Sequence, residues 1–296
     1  MEQKSKADVE KHLREEKKQG LRERIDKYKQ ERDTVRAYVE SDPTIPIREK
    51  RANSEQLLVE VQKLKDVWSE VMPYIRKIKS IVGDVLGETR FVASYLLFGK
   101  VSQGLDAILM LLSNGFYYEA IEILRSNREA LDLIPLFLHE SDDSPLIKKW
   151  FAGEIVSNAT AREAADRLLK ETAEKAGLTF SMEGLKSGIY SGLSHYSHVS
   201  YTALLDAYDV YSQDFDFERI AGHYYALNTG VSYARTEIHS VIITLKVFYK
   251  SVGDRESYSG VDALLRKHAP TYYDEEARQK RHADIEERFT KKARDC

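Results

Sequence analysis

Three short stretches of the sequence hold side chains that can do chemistry together. The first is Ser194-His195-Tyr196-Ser197-His198. On a helix, His195 and His198 stand three residues apart on one face. Imidazoles so placed can move protons near neutral pH. They can also bind a metal if more ligands join them, and Glu129 or His239 could supply one from another helix. A third reading, the favoured one, is a hydrogen-bonded pair that braces a helix junction.

The second stretch is Arg125-Ser126-Asn127-Arg128-Glu129. Arg125 and Glu129 are i, i+4 and share a helix face. Leu124 and Leu131 lie beside them, so the pair is expected to be partly buried. A half-buried guanidinium must meet acceptors: it either braces the fold, the favoured role, or holds an anion such as phosphate. The third stretch, Arg235-Thr236-Glu237-Ile238-His239, again sets Arg and His at i, i+4 and reads as an exposed or half-buried face of a long helix.

Several common chemistries are absent from the sequence. There is no GxxxxGK[ST] phosphate loop, no GxGxxG fingerprint, no HExxH zinc motif and no GxSxG elbow. No E-x-x-H pair of the di-iron bundles occurs. The single cysteine, Cys296, rules out an intramolecular disulfide and a CxxC metal site, and fits a reducing compartment. No cofactor is expected. Lys and Arg number 45 against 48 Asp and Glu, a net charge of −3, so no global basic excess points to nucleic acid. The charge runs at residues 10–36 and 274–296 mix both signs and form no continuous phosphate track. The N-terminal residues carry no apolar signal core, and no run of about 18 apolar residues occurs. A cytoplasmic protein without a membrane span is expected.

The elements that must position these residues read as helices throughout. Six Pro and fifteen Gly in 296 residues argue against a turn-rich β fold. Residues 1–50 form a charged arm with a thin stripe at Leu21, Ile25, Tyr28, Val35 and Val39, ending in a Pro43/Pro46 linker where a break is expected. Leu57, Val61, Leu64, Trp68, Val71, Ile75, Ile78, Val82 and Val85 then alternate spacings of four and three. That is a heptad seam, with Pro73 predicting a kink inside it. A neighbouring helix of the core or a second chain must cover the seam, and the bundle is favoured.

Residues 88–112 are apolar nearly all round, which predicts a helix at the centre of a core. Ser113-Asn114-Gly115 is a stop signal, and a second helix from about Phe116 to His139 is expected to fold back antiparallel. Ser144 and Pro145 open another. Asn158 and Thr160 can cap the next, closed by Gly177. Gly184, Gly188 and Gly192 recur every four residues, and a short helix is expected to run to about Val210. Asp214 and Asp216 can cap a long helix from about Phe217 to Ser251. Residues 259–270 make a short helix stopped by Pro270, and the core is expected to span 51–270. Residues 271–296 read as a charged surface helix.

With these residues in place, the segment from Gly115 to Glu140 and the segment Tyr190-x-x-Leu193-Ser194-x-x-x-His198 resemble a pattern found in uncharacterised prokaryotic all-helical proteins similar to the HEPN superfamily. The resemblance covers about residues 90–245. It implies a helical bundle, often dimeric, with ribonuclease or nucleotide-binding activity, of the kind found in toxin–antitoxin or antiviral defence systems. In nuclease members four to six residues lie between an Arg and a His on one helix; here three lie between Arg235 and His239, one short of that pattern.

The expected protein is therefore all-α, an elongated helical bundle with an N-terminal helical arm. Its expected site gathers Arg125, Glu129, Ser194 and His198, with Tyr190 and His195 in support and no resident metal. In an RNA-cleaving protein His198 would act as acid and base, and Arg125 would stabilise phosphate charge. The alternative is a non-enzymatic scaffold that self-associates or binds a protein partner through its N-terminal helices.

Overall fold

The computed structural model describes residues 45–83, 87–157, 159–161, 163, 208–209, 214–215 and 224–270, with residues 19, 22, 23, 26, 29 and 30 of the N-terminal region. The fold is all-α. The helices whose bounds are described are α1 (Ile45–Val82), α2 (Arg90–Ser113), α3 (Tyr117–His139), α4 (Pro145–Phe151), α5 (Tyr224–Ser251) and α6 (Arg255–His268). Between α4 and α5 lies a two-residue antiparallel pair, β1 (Tyr208–Asp209) and β2 (Asp214–Phe215), with Tyr208 opposite Phe215.

The heptad seam becomes the inner face of α1. Leu57, Val61, Leu64, Trp68, Val71, Ile75 and Ile78 are all buried, and Val82 packs partly against the core. α1 lies on α2, α5 and α6 of the same chain, so these helices cover the seam. Burying each large apolar side chain contributes roughly 1.5–3 kcal/mol over leaving it exposed. α1 begins at Ile45, inside the expected linker, because Pro46 falls in the first turn where a missing N–H breaks no helical bond. The helix continues through Pro73.

α2 and α3 form the tight antiparallel pair read from Ser113-Asn114-Gly115. Phe116 N–H donates to the Leu111 carbonyl at 2.9 Å and Gly115 N–H to Leu112 at 3.2 Å. Gly115 sits at φ +78°, the left-handed conformation this helix ending requires. At the other end of the pair, Arg90 reaches the Glu140 carbonyl at 2.8 Å, and the Asp142 carboxylate accepts the Arg90 N–H at 2.9 Å. That places a negative charge at the start of α2, where the helix dipole favours it.

α2 is not apolar all round, contrary to the expectation. Leu96, Lys100, Gln103, Asp106 and Met110 line an open face at helical spacing, with Met110 59% exposed. Among the described residues it is the one helix long and apolar enough to cross a membrane by length and composition, and half of the qualifying window is buried inside the protein. Its inner face, including Phe98, Val101, Leu105, Ile108 and Leu112, is buried.

α5 packs against α3 and α6, and also touches α1 and α2. Phe248 meets Phe91 and Phe98 of α2 edge-on, with ring centroids 6.1 and 6.0 Å apart. The Tyr249 hydroxyl donates to the Tyr74 carbonyl of α1 at 2.5 Å. α4 starts as expected: Ser144 Oγ accepts the N–H groups of Leu146 and Ile147, with Pro145 in the first position. Trp150 then stacks edge-on against Phe137 of α3, centroids 5.3 Å apart.

Four further local expectations change. Tyr208 and Asp209 belong to β1 rather than to a helix reaching Val210, and Asp214 pairs in β2 instead of capping α5. Thr160 lies inside a helical turn whose first N–H, from Ala159, is accepted by Ser157 Oγ at 3.2 Å. α6 starts at Arg255, earlier than read, because Asp254 caps it by accepting the Ser257 N–H at 3.0 Å. The residues assigned to the arm before 45, to the Gly184/Gly188/Gly192 stripe and to the C-terminal helix from 271 lie outside the described residues, apart from those named above.

One close approach fixes the α2–α3 pair. Asn127 is fully buried and donates from Nδ2 to the Val101 carbonyl at 2.9 Å. A Cβ on Gly104 would stand 2.0 Å from Asn127 Oδ1, so only glycine leaves room for that side chain. Gly104→Ala is expected to displace Asn127 and cost about 1–3 kcal/mol in urea unfolding. A change below about 0.5 kcal/mol, the size of an ordinary surface substitution, would show that Asn127 does not set this contact.

Candidate functional site

α3 carries four charged residues at i, i+3, i+4 and i+7: Arg125, Arg128, Glu129 and Asp132. This spacing gathers them on one side of the helix. They divide into an outer and an inner pair. Arg125 and Glu129 meet at 3.6 Å with side chains 30% and 31% exposed. The partial burial expected for this pair is what the structure shows.

The inner pair is closed off. Arg128 Nε lies 3.1 Å from Asp132 Oδ1, with side chains 17% and 6% exposed. Its Nη1 donates to Ser240 Oγ of α5 at 2.8 Å and lies 3.7 Å from Glu237 Oε2, whose side chain is 5% exposed. Ser240 in turn donates to the Thr236 carbonyl. Burial pushes the Glu237 carboxyl up to about 7; Arg128 pulls it down and the charge of Asp132 pushes it further up.

Asp132, Glu237 and Ser240 escaped the sequence reading of this site. A signal for Glu237 was present: it falls three residues after Ala234 and four before Val241, both on the buried stripe of α5. A carboxylate at that position must be buried, and a buried carboxylate must find a partner.

Arg235 and His239 serve as braces on the outer part of α5. Arg235 Nη2 donates to Glu60 of α1 at 2.8 Å. The His239 imidazole is held below its ordinary value, first by burial and then by the charges of Arg235 and His268. His268 Nε2 lies 3.0 Å from Glu70 Oε2, and Lys267 donates to the same carboxylate at 2.8 Å. Those two partners hold Glu70 below its ordinary value. These contacts tie α1 to α5 and α6. Among the described residues no group of three or more His, Cys, Asp and Glu side chains could hold a metal ion.

A groove of about 540 Å³ runs between α1 and α2. Lys65 and Arg76 stand on its α1 side and Asp106 and Met110 on its α2 side. Its floor includes Trp68, whose indole N–H donates to Asp106 Oδ1 at 2.7 Å. None of the charged residues on α3 lines it.

Of the residues expected to share a site, the structure therefore places Arg125 and Glu129 together. Tyr190, Ser194, His195 and His198 lie outside the described residues. Comparison of the chain with protein-family models, curated proteins and solved structures returned no match.

The two arginines of α3 should respond differently to removal. Arg128→Met leaves Asp132 and Glu237 buried without their guanidinium and is expected to cost about 3–5 kcal/mol. Arg125→Ala breaks a half-exposed pair on one helix and is expected to cost less than about 1 kcal/mol. Chemical unfolding of both variants checks the contrast, and equal losses would contradict it.

Proposed function

We propose that the chain is a HEPN-like helical protein of a prokaryotic defence or stress system, with α3 offering a guanidinium to the phosphate of an RNA or nucleotide. The observation that carries this reading is the half-exposed Arg125. Glu129 holds it at 3.6 Å, whereas Arg128 is committed to the interior. A guanidinium at the protein surface, paired with a carboxylate of its own helix, can exchange that partner for a phosphate with the same fork geometry. In this reading His198 moves the proton, Arg125 steadies phosphate charge, and Glu129, Ser194, His195 and Tyr190 support them.

A second reading is a non-enzymatic scaffold that binds a protein partner or a second copy. The α1–α2 groove supports it, with Met110 exposed on one side and Lys65 and Arg76 on the other. The seam of α1 does not, because its side chains are used inside the chain.

End-labelled single-stranded RNA and nucleotide binding test the first reading. Cleavage by the wild type is expected to fall about 100-fold or more in Arg125→Ala and His198→Ala, with circular dichroism and Tm preserved. A wild type that neither cuts RNA nor binds RNA or nucleotide would remove it. Sedimentation velocity tests the second: self-association lost in Met110→Glu, or on deleting residues 1–44 with α1 left whole, would support the scaffold.

A further inference from the structure

The Arg128 cluster presents a charge imbalance in a closed place. Among the described residues, two buried carboxylates, Asp132 and Glu237, share one guanidinium between α3 and α5. With both acids ionised, these three side chains sum to one negative charge, and gathering like charges in a buried place is costly. The geometry also separates the two acids. Asp132 makes the close contact with Arg128 at 3.1 Å. Glu237 stands off at 3.7 Å, and among the described residues its buried Oε1 has no hydrogen-bond partner. Arg128 spends Nη1 on Ser240, whose own hydrogen is already given to Thr236.

Among the described residues, the remaining neighbours of α5 offer Glu237 no second cation. Arg235 is turned to Glu60 of α1, and Lys246 is paired with Asp262 of α6. His239 meets the backbone of His268. α2 meets α5 through Phe91 and Phe98 against Phe248. Among the described residues, the charged groups that face Glu237 are Arg128 and Asp132, both from α3.

We propose that Arg128, Asp132 and Glu237 form a proton-linked lock between α3 and α5, closed while Glu237 carries a proton and loosened when it gives that proton up. With Glu237 neutral, Arg128 and Asp132 balance each other. With Glu237 ionised, these groups set two negative charges against one positive, and the described residues give Oε1 no donor. The lock is independent of the RNA reading, since Arg128 and Glu237 are closed to a ligand.

The sign follows from linkage. The ordinary value for a glutamate is 4.5, and burial holds the folded value up to about 7. Between these two values the folded chain binds more protons than the unfolded one. The stability Glu237 contributes is therefore fully present below pH 4.5 and is lost as pH rises through 7. His239, lowered by burial, acts in the opposite sense in the same range. The difference between wild type and a Glu237 variant isolates the lock from it.

Urea unfolding of the full chain at pH 5, 6, 7 and 8 tests the proposal in wild type, Glu237→Gln and Asp132→Asn. Relative to Glu237→Gln, the wild-type unfolding constant is expected to rise on the order of a hundredfold from pH 5 to pH 8. Asp132→Asn leaves one carboxylate for one guanidinium, so Glu237 should ionise at lower pH and the rise should shrink. Carboxyl carbon NMR of the wild type reads the proton directly and decides even where a variant fails to fold. A Glu237 carboxyl titrating near neutrality supports the lock. One titrating below pH 5, or parallel stability curves for wild type and Glu237→Gln, would overturn it.

Discussion

The structure depends on how α3 meets its two neighbours. Asn127 and Arg128 are adjacent in sequence, so their side chains leave the helix about a quarter-turn apart. Asn127 enters α2 over Gly104 and bonds the Val101 carbonyl. Arg128 enters the α5 contact and takes Asp132 and Ser240. Apolar side chains alone would let helices slide, because dispersion and hydrophobic contacts carry little direction. Two buried polar contacts on one turn fix α3 against α2 and α5 together, since sliding along either neighbour would leave an amide or a guanidinium buried and unpaired.

α1 is held in a different way. Its seam supplies the burial, and ion pairs along its flanks set its direction. Glu60 meets Arg235, Glu70 meets Lys267 and His268, and Lys77 meets Asp254. Each pair is at least partly exposed, and such pairs individually contribute little. Spread over more than four helical turns, they favour one alignment of α1 on α5 and α6. The division of labour is physical: area sets how firmly the helix binds, and charge geometry sets how it lies.

Much of this was legible in the sequence because it depends on short-range pattern. The seam from Leu57 to Ile78, the Ser113-Asn114-Gly115 ending and the Ser144-Pro145 start all appear where their local chemistry puts them. What stayed hidden depends on partners far away in the chain. Glu237 and Arg128 are more than a hundred residues apart, and neither residue's neighbours in sequence announce the other. The open face of α2 was written in the three-residue spacing of Lys100, Gln103 and Asp106, but the surrounding leucines outweighed it. Of the expected site, the Arg125–Glu129 pair was readable because a helix brings i and i+4 together without help from tertiary structure.

That same distinction separates the places where function can reside. The inner end of the α3 stripe is closed, and its groups answer to one another and to protons. The outer end is half-exposed, and in the proposed function its guanidinium would meet the phosphate there. The groove between α1 and α2 is lined by neither, so a partner seated there need not disturb the polar stripe of α3. In the two proposed readings, phosphate recognition and partner binding would use different helices of one bundle. A charge change on α3 and a shape change at Met110 test them separately, and the buried cluster behind Arg125 belongs to the stability of the frame that both would share.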